Sequence, residues 1–462
     1  MTEATAETFD AVVVGAGISG LSAALSAVEA GLRVALVEKT AAIGGSSAMS
    51  GGWFAFSGTA EQAAAGVRDS AEHFLADLLE VGGHANDRAL LQAYLDNQAE
   101  LYAWLKGRGV VFQELEISSG QSAARSHLTP IKEVLRSFAD AFVAAGGTLL
   151  LDSRVTDLVR DGGRVSAVVV DTPDGSRTLE AAGGVVLASG GFSRGTDLLR
   201  IFAPEQLAGI PYGGLGNTGD GLKLAWKLGA GMADMSYISG TYGSHPETGI
   251  EFHELLCAYY LGAIIVNKDG KRFVDESVSY KTLGSACLDQ PEGLGFEIFD
   301  AKVRAKSQRG VPLKDMDTLE DLGHVFKADS LEELARIAGI DAGALVDTVG
   351  RYNAVVAGRE EDEFGRTGLC TGVGELLPID QAPFYAYPAK TLMNSTYCGI
   401  TINPQAQVLD VAGEVIEGLY AAGEVTGGFH GAAYMTGTSL GKGALFGRLA
   451  ARSIAARVGV PA

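Results

Sequence analysis

Three glycines and one acidic residue near the start of the chain have the types and spacing of a dinucleotide-binding site. Gly15, Gly17 and Gly20 form the pattern G-x-G-x-x-G, and Glu38 follows Gly20 by 18 residues. In such a pattern the glycines allow a tight turn, close approach of the backbone to a pyrophosphate, and packing of a helix against a strand. The acidic side chain accepts hydrogen bonds from ribose hydroxyls. These four residues therefore predict a bound dinucleotide.

The segments around these residues have the hydrophobic patterns needed to position them. Residues 9–14 include three consecutive valines, which is typical of a strand buried on both faces. The apolar residues of 21–28 have helical spacing, and Gly31 ends that helix. Residues 34–37 form the next predicted strand. A strand, a helix and a second strand in this order favour the dinucleotide interpretation over a chance occurrence of glycines.

Glycine and serine recur at the ends of later predicted elements. A glycine- and serine-rich segment spans 44–53, and a strand at 185–188 runs into a second such segment at 189–191. Residues 216–221 precede a helix from about Leu222 to Leu228, and the last predicted helix starts near Ser439. The free N–H groups at that last helix start suit an anion. These segments predict repeated close approach of the backbone to one cofactor, although a flexible connector is the alternative for 44–53.

The bulk properties are those of a large soluble enzyme. Length (462 residues) suggests two to three domains, and a hydrophobic content of 47% supports a sizeable core. The net charge of −20 argues against nucleic acid and anionic membranes as partners. No apolar run reaches the ~18 residues of a membrane span, and the N-terminus lacks the pattern of a signal peptide. The four scattered cysteines and seven histidines show no metal-ligand spacing, so we expect a cytoplasmic protein without a metal site.

The remaining pattern predicts two domains, one of them split. Helices are expected over 60–110 and from Pro130. Three strands are expected over 148–171, with one glycine turn at 161–163 before the third strand and another at 173–175 after it. From about residue 234 the pattern changes, with a hairpin predicted at 263–274 around a turn at 267–270 and a helix capped by Ser330. The predicted fold class is α/β, with domain segments 1–233, 234–388 and 389–462, the middle one an inserted α+β domain.

The chain resembles the flavoprotein family of fumarate reductases, succinate dehydrogenases and 3-ketosteroid dehydrogenases over nearly its whole length. The motifs that carry the resemblance are the Gly15 turn, 44–46, 218–221, 266–276, 351–353 and 422–428. The resemblance implies FAD, bound by a Rossmann-type domain made of two sequence segments, with a substrate-capping domain inserted between them. Family members with covalent FAD carry a histidine at the place of Gly45, so we expect non-covalent FAD.

The resemblance also implies which residues contact the cofactor. The expected FAD-binding residues are Gly15, Gly17, Ile18, Ser19, Gly20, Glu38, Lys39, Gly45, Ser46, Ser47, Ser50, Gly51, Gly52, Val155, Ser189, Gly190, Asn217, Asp220, Gly423, Glu424, Ser439 and Leu440. No second dinucleotide fingerprint is present, which argues against NAD(P)H as a direct partner.

The chain departs from the fumarate reductase pattern at the positions that bind a dicarboxylate. Tyr280 and Tyr434 stand where that pattern has arginines, and Leu255 and Leu256 replace its Thr-Glu pair. The clamping histidine expected within 395–399 is also missing, and only His245 with the proline after it survives. A fumarate reductase-like enoate reductase is therefore the alternative, not the main prediction.

Tyrosines at these two positions are similar to those of 3-ketosteroid dehydrogenases. The resemblance implies that Tyr280 removes the proton next to a ketone and that the Tyr434 hydroxyl and Gly437 N–H stabilise the enolate oxygen. Because a tyrosine has a pKa of about 10, a neighbour that lowers it would help, and Tyr397 is the candidate. For any single tyrosine, the alternative is a half-buried packing residue with a satisfied hydroxyl.

Three further residues are weaker candidates for the substrate pocket. Arg125 and His127 lie on a predicted loop that covers the flavin and binds a substrate carboxylate, or form a simple surface pair. His245 lines the pocket or is only a turn histidine.

The sequence thus predicts an FAD-dependent dehydrogenase that desaturates a cyclic ketone at the α,β position. The inserted domain is short for a steroid-capping one, which favours a small cyclohexanone derivative, such as an oxocyclohexanecarboxylate, over a 3-ketosteroid. The electrons would pass to an external acceptor, namely a quinone, a dye or oxygen. A flavin-binding protein without catalysis is the alternative from another class.

Overall fold

The structure is a computed structural model that describes residues 7–118, 120–238, 240–249, 255–311, 313–370, 372 and 374–460. Its strands are β1 Glu7–Val14, β2 Val34–Val37, β3 Trp53–Ala55, β4 Glu114–Glu116, β5 Ser126–Leu128, β6 Thr148–Leu150, β7 Arg154–Asp161, β8 Arg164–Thr172, β9 Gly175–Leu187, β10 Ile210–Pro211, β11 Met232–Ala233, β12 Thr241–Ser244, β13 Ile264–Val266, β14 Leu294–Asp300, β15 Phe326–Ala328, β16 Phe384–Met393, β17 Gly399–Ile400, β18 Gln407–Leu409 and β19 Val415–Ala421. Its helices are α1 Ile18–Glu29, α2 Gly45–Ala48, α3 Ala60–Ala64, α4 Ala71–Val81, α5 Arg88–Gly107, α6 Ile131–Ala144, α7 Thr196–Phe202, α8 Asp220–Lys227, α9 Tyr280–Leu288, α10 Ala301–Arg304, α11 Met316–Asp321, α12 Leu331–Ala338, α13 Ala342–Val356 and α14 Thr438–Arg457.

The chain forms two compact units. Unit 1 comprises Met1–Ala203, Gly213–Ile238 and Ser395–Ala462, and unit 2 comprises Pro204–Tyr212 and Ser239–Asn394. Among the described helices, none combines the length and the apolar character that crossing a membrane requires.

The main sheet of unit 1 is parallel at its centre and carries the predicted strand–helix–strand unit. Its strands follow the order β18-β19-β9-β1-β2-β6, and β8 and β7 extend it from β9. β1 pairs in parallel with both β2 and β9, with Val14 opposite Val37 on one side and Leu187 on the other. Because the carboxyl ends of parallel neighbours meet at one edge, the segments after β1, β2 and β9 lie together there.

The hairpins predicted from the glycine turns at 161–163 and 173–175 are present. β7 pairs with β8 up to Asp161 and Arg164, and β8 pairs with β9 up to Thr172 and Gly175. The two-residue connections between paired strands explain why these turns require glycine-rich sequences.

Helix α14 lies in the core of unit 1 and packs against α1. A Cβ atom at Gly447 would lie 2.3 Å from the Ser19 carbonyl oxygen, so the two helices approach too closely for any side chain there. The close contact fixes the first turn of α1 relative to α14, whose own first turn begins at Thr438.

Unit 2 is built on a mainly antiparallel sheet. Its strands follow the order β10-β16-β14-β13, with β12 and β15 also paired to β16. The Ser330 hydroxyl accepts a hydrogen bond from Glu333 N at 3.2 Å and caps α12, as predicted. The α/β fold class is confirmed in unit 1, and unit 2 has the mixed α and β content expected of the inserted domain.

The turn predicted at 267–270 is present, with Gly270 N donating to Asn267 O at 3.0 Å, but residues 271–274 do not form the second strand of the predicted hairpin at 263–274. β13 pairs with β14, which lies about thirty residues further along the chain, and Arg272 forms only an isolated bridge to Val266. The Arg272 guanidinium is buried between two carboxylates, at 2.7 Å from Glu276 and 2.6 Å from Asp362. A buried guanidinium needs such partners, so the ion pairs rather than strand pairing direct this segment.

Candidate functional site

Two of the three fingerprint glycines are required by the fold of unit 1 itself. Gly15 has a φ of +103°, and a Cβ atom there would lie 2.4 Å from the Ala188 carbonyl oxygen. A Cβ atom at Gly20 would lie 1.8 Å from the Gly15 carbonyl oxygen. Both positions therefore permit only glycine, because the backbone after β1 contacts the backbone after β9 and the first turn of α1.

The third glycine is different, because no protein atom requires it. Gly17 precedes α1 with φ −77° and ψ −175°, which any residue adopts. A Cβ atom there would meet only Ser47 Oγ at 3.4 Å and Gly44 O at 3.7 Å, which are ordinary contacts. The missing side chain leaves the start of α1 open, and the first turn of that helix has no acidic residue. This geometry fits a pyrophosphate at the helix N-terminus.

Glu38 lies next to this turn with its carboxylate largely buried. Glu38 Oε2 accepts a hydrogen bond from Ala16 N at 2.9 Å. Its Oε1 accepts from Thr40 N at 2.9 Å and from the Thr40 hydroxyl at 2.8 Å. A carboxylate has about four acceptor positions, so these three bonds orient Glu38 and leave capacity for a ribose hydroxyl.

Three predicted FAD-binding residues from distant segments form one hydrogen-bonded group in unit 1. Asn217 Nδ2 donates to Ser46 Oγ at 3.1 Å and to Glu424 Oε2 at 2.9 Å. Glu424 Oε1 accepts from the backbone N–H of Thr396 at 2.9 Å, a contact that the sequence did not indicate. The group connects the segments after β2, before α8 and after β19.

Two other predicted residues, Lys39 and Asp220, are also brought together. The Lys39 ammonium lies 3.0 Å from the Asp220 carboxylate, and Arg154 lies 3.0 Å from the same carboxylate. At the end of β9, Ser189 Oγ is buried and has no hydrogen-bond partner among the described residues. An unsatisfied buried hydroxyl at this edge fits a position that a cofactor contacts.

The other predicted FAD-binding residues lie in unit 1 at the following places: Ile18 and Ser19 in the first turn of α1, Gly45 and Ser47 in α2, Ser50, Gly51 and Gly52 before β3, Val155 in β7, Gly190 after β9, Gly423 after β19, and Ser439 and Leu440 in the first turn of α14.

Three aromatic side chains form a compact group near the start of α14. The rings of Tyr397 and Tyr434 are stacked, with centroids 4.6 Å apart and planes 11° apart. His430 packs edge-on against both, at 5.3 Å from Tyr397 and 5.5 Å from Tyr434. Tyr397 has a φ of +54°, a strained backbone conformation for a bulky residue. Such strain persists only where the surroundings impose it, and it is concentrated at functional sites.

Tyr434 and Gly437, the two predicted oxyanion donors, are adjacent but arranged in series. The Gly437 N–H donates to Tyr434 Oη at 2.9 Å, so the amide is directed at the hydroxyl rather than beside it. Gly437 has a φ of +88°, and a Cβ atom there would lie 2.9 Å from Ala55 N. A hydrogen bond to the phenol oxygen favours its ionised form, which makes the Tyr434 hydroxyl the stronger donor to a further oxygen.

Arg125 lies on a loop just before β5, as predicted, but His127 lies in β5 and neither side chain is on the surface, so the surface-pair alternative is wrong. Arg125 is fully buried, with two hydrogen bonds of 2.7 Å to the Asp69 carboxylate and an ion pair to Asp77. His127 is buried in β5, where Nδ1 contacts Arg125 O at 2.6 Å and Nε2 contacts Thr59 Oγ1 at 2.8 Å. Burial lowers the pKa of His127. Asp69 and Asp77 occupy the guanidinium, so Arg125 is structural.

In unit 2, Tyr280 is the first residue of α9, a helix capped by the Ser279 hydroxyl. Burial, and then the nearby Cys257, raises the pKa of Tyr280 above its usual value. Lys281, the next residue, was not predicted as a site residue, and burial lowers its pKa to about 8. At neutral pH the phenol of Tyr280 is therefore the protonated form in the resting protein.

His245 in unit 2 is buried and stacks on His324, with ring centroids 3.8 Å apart and planes 2° apart. Burial, and then His324, lowers the pKa of His245 to about 4. Glu247 N donates to its Nδ1 at 3.2 Å, which places the proton of the neutral ring on Nε2. His245 is thus a neutral hydrogen-bond donor rather than a cation.

The side chains of His245, Glu247 and His324 offer ligand atoms within 4.8 Å of one another. Two features oppose a metal site here. A metal ion lies in the plane of each imidazole that binds it, and stacked parallel rings do not share such a plane. The hydrogen bond to Nδ1 also leaves the proton on the other nitrogen. The sequence-based expectation of no metal stays a prediction.

A buried lysine close to the predicted cofactor residues also escaped the sequence analysis. Lys442 lies one turn into α14, and its Nζ donates to Thr426 O at 2.7 Å. Burial lowers its pKa to about 8, while the nearby Asp234 and Glu424 act in the opposite direction. A single lysine among the small residues of α14 gives no periodic signal, because the helix is buried almost all round.

Comparison with known proteins gives matches over nearly the whole chain. A profile of the FAD binding domain family matches residues 10–440. A probable fumarate reductase of Shewanella frigidimarina is 32% identical over 452 residues, which cover 96% of this chain and 74% of that protein. These matches confirm the predicted cofactor, FAD.

Two solved structures extend the comparison. The open conformation of a flavocytochrome c3 fumarate reductase has a TM-score of 0.85 and 31% identity, covering 98% of this chain and 79% of that one. The 3-ketosteroid-Δ4-(5α)-dehydrogenase of Rhodococcus jostii RHA1, in complex with 4-androstene-3,17-dione, has a TM-score of 0.76 and 26% identity, covering 98% of both chains. The chain is similar to reductases and to a dehydrogenase.

The glycine geometry predicts that substitutions separate cofactor binding from folding. Gly17→Ala should weaken FAD binding at least tenfold, because a methyl group intrudes where the backbone approaches the pyrophosphate. It should leave the apoprotein as stable as the wild type, within about 0.5 kcal/mol. Gly20→Ala should destabilise the apoprotein itself. Flavin fluorescence titration and chemical denaturation measure the two effects, and Gly107→Ala, in open space at the end of α5, is the control. Equal loss of stability in both variants would contradict this assignment.

The absence of a histidine at position 45 predicts how FAD is held. We expect acid or heat denaturation to release all of the flavin into the supernatant, where chromatography identifies it as FAD. Flavin that stays with the precipitated chain would show a covalent bond and refute the prediction.

Proposed function

Because the chain belongs to the FAD binding domain family, among the flavoproteins related to fumarate reductases, we propose that it desaturates a cyclic ketone at the α,β position. At the coarser level it is an FAD-dependent oxidoreductase acting on CH–CH or C=C bonds. The observation that carries the proposal is the pair Tyr280 and Tyr434, where the fumarate reductase pattern has arginines. A phenol removes or donates a proton without attracting a carboxylate, whereas an arginine attracts one.

In the proposed reaction Tyr434 binds the ketone oxygen. Its hydroxyl donates to that oxygen while accepting from the Gly437 N–H, so negative charge developing on the enolate oxygen is spread along two hydrogen bonds. The stack with Tyr397 holds the Tyr434 ring in place. In this proposal Tyr397 supports Tyr434 through the stack, and its expected role as a helper of Tyr280 stays a prediction.

Tyr280 removes the α-proton at its phenolate oxygen. When bound, FAD supplies the acceptor for the β-hydride. Unit 2 provides Tyr280, and in this proposal it serves as the substrate-capping domain. Because burial raises the pKa of Tyr280, the reactive phenolate is a minor form at neutral pH, and its population grows about tenfold per pH unit.

The charges of the candidate pocket residues favour an uncharged reacting group over a dicarboxylate. His245 is neutral at pH 7 because its pKa is lowered to about 4. Arg125 is occupied by Asp69 and Asp77. These features favour a small cyclohexanone derivative or a 3-ketosteroid, and they give an oxocyclohexanecarboxylate no support from Arg125. An external acceptor (quinone, dye or oxygen) would reoxidise the flavin.

The second candidate function is an enoate reductase, which the 32% identity to a probable fumarate reductase favours. The two candidate reactions interconvert CH–CH and C=C bonds in opposite directions. They differ in the substrate group next to the reacting bond, which is a ketone in the dehydrogenase and a carboxylate in the reductase. A reductase acting on fumarate needs cations for two carboxylates, and the tyrosines at 280 and 434 do not provide them.

A substrate screen tests the proposal directly. Under anaerobic conditions we expect cyclohexanone derivatives or 3-ketosteroids to bleach the yellow flavin, while succinate leaves it oxidised. Dithionite-reduced protein should be reoxidised slowly or not at all by fumarate. Fast reoxidation by fumarate together with no bleaching by any ketone would establish the reductase instead. A protein inert in both assays would be a non-catalytic flavin-binding protein.

The two tyrosines have separable roles. Tyr280→Phe should lower the rate of flavin reduction by orders of magnitude with little change in ketone affinity, because only the base is lost. Tyr434→Phe should cost about 10²–10³ in rate and weaken binding of phenolate-like mimics of the enolate. In the wild type the reduction rate should rise with pH throughout the range below the raised pKa of Tyr280. Stopped-flow reduction across pH measures all three.

Two outcomes would contradict these roles. Near-normal reduction in Tyr280→Phe would remove Tyr280 as the base. A pH profile that is unchanged in Tyr280→Phe would assign the ionisation to another group. Tyr385→Phe, which changes a tyrosine of the unit 2 core, is the matched control.

A further inference from the structure

The loop that carries Tyr434 and Gly437 is held by backbone contacts on both sides. Gly437 O accepts from Ala55 N at 3.0 Å, which joins the loop to β3. Within the loop, the Thr438 hydroxyl donates to Met435 O at 2.6 Å. The carbonyl of Thr436 accepts from the side chain of Gln121 at 3.0 Å. Gln121 is 315 residues away in sequence and is the side chain that reaches this carbonyl.

Gln121 uses both ends of its amide. Its Nε2 donates to Thr436 O at 3.0 Å and to Ser126 Oγ at 2.9 Å. Its Oε1 accepts from Ser118 N at 3.1 Å and from Arg125 N at 3.3 Å. The side chain is 8% exposed. Four bonds from one buried amide are the most that an amide makes when both of its hydrogens are used, so its position is tightly specified.

The segment around Gln121 is itself anchored by the buried charges of unit 1. Arg125, four residues later, binds the Asp69 carboxylate with two bonds of 2.7 Å and pairs with Asp77. Ser122 N donates to the same Asp77 carboxylate at 2.7 Å. Gln62 Nε2 binds Asp69 at 3.0 Å and Ala124 O at 2.8 Å. Gln121 therefore links this network directly to the Tyr434 loop through a side chain.

We propose that Gln121 is a positioning residue that keeps the Gly437 N–H directed at Tyr434 Oη. The role of Tyr434 in catalysis rests on the proposed function, whereas the effect of Gln121 on the Tyr434 hydroxyl does not. Without the bond to Thr436 O, the peptide between Thr436 and Gly437 is free to rotate. The Gly437 N–H belongs to that same peptide, so rotation turns it away from Tyr434 Oη.

Three titratable side chains lie near Tyr434 and bear on its ionisation. Tyr397 stacks on its ring and His430 packs against its edge. Tyr94, whose hydroxyl donates to Ala55 O at 2.6 Å, also lies close enough to interact electrostatically. The Gln121 amide bonds instead to Thr436, Ser126, Ser118 and Arg125, so a change at 121 reaches the Tyr434 hydroxyl through the loop.

The test measures the ionisation of Tyr434 in the holoenzyme. A 3,5-difluorotyrosine incorporated at position 434 is titrated by ¹⁹F NMR in four backgrounds: wild type, Gln121→Leu, Gln121→Glu and Gln113→Leu. Gln121→Leu keeps the volume but removes all four bonds, and Gln121→Glu keeps the acceptor and loses the donor to Thr436 O. Gln113 is exposed on the same segment and is the control.

We expect both Gln121 variants to raise the pKa of the fluorinated tyrosine by about one pH unit, because the phenolate loses the Gly437 hydrogen bond. The Gln113→Leu variant should titrate as the wild type does. With a ketone that bleaches the flavin, the reduction rate should fall about tenfold to a hundredfold, with FAD content unchanged and the change mainly in kcat rather than KM.

An unchanged pKa in folded, FAD-containing Gln121→Glu overturns the proposal, whatever the activity. A shifted pKa with no ketone turned over by any variant leaves the positioning role intact and refutes the proposed function. If Gln121→Leu does not fold, Gln121→Glu alone decides, because it retains the two bonds that Oε1 accepts.

Discussion

The FAD-binding fold of unit 1 depends on one constraint, the close contact between the backbones that follow β1 and β9. The carbonyl oxygen of Ala188 lies where a side chain at Gly15 would be, and that of Gly15 lies where a side chain at Gly20 would be. Parallel pairing on both sides of β1 creates this crowding, since it brings the carboxyl ends of three strands to one edge. Everything that follows β1, β2 and β9, including Glu38 and Ser189, is placed by it.

The distinction among the three glycines shows what a fingerprint encodes. Gly15 and Gly20 are required by the backbone packing of the protein itself, whereas Gly17 is required only for the close approach of the bound cofactor. The sequence pattern is therefore partly a folding requirement and partly a binding requirement, and the structure separates the two. Glu38 contributes to both requirements, because the glycine turn that binds the cofactor also orients the Glu38 carboxylate through the Ala16 N–H.

The sequence predicted the parts that depend on local spacing and missed those that depend on distant partners. The glycine turns, the hairpins of β7 to β9 and the helix start near Ser439 follow from short-range patterns, and they are present. Arg125 was misjudged because its partner Asp69 lies dozens of residues away, and Arg272 because one of its two carboxylate partners, Asp362, does. The direction of the Gly437 N–H depends likewise on Gln121, which no spacing rule connects to it. The grouping of Ser46, Asn217 and Glu424 was predicted by family resemblance, not by periodicity.

The burial of Lys442 has a consequence for how unit 1 assembles. An unfolded chain holds the proton of this lysine with an ordinary pKa of 10.5, whereas the folded unit holds it with a pKa of about 8. Between these values the unfolded chain binds more protons, so the contribution of Lys442 to folding stability increases as the pH rises from about 8 to 10.5. Below pH 8 the folded unit instead carries a desolvated ammonium beside Thr426 O. Closing the core around α14 thus becomes a proton-releasing step in mildly alkaline solution.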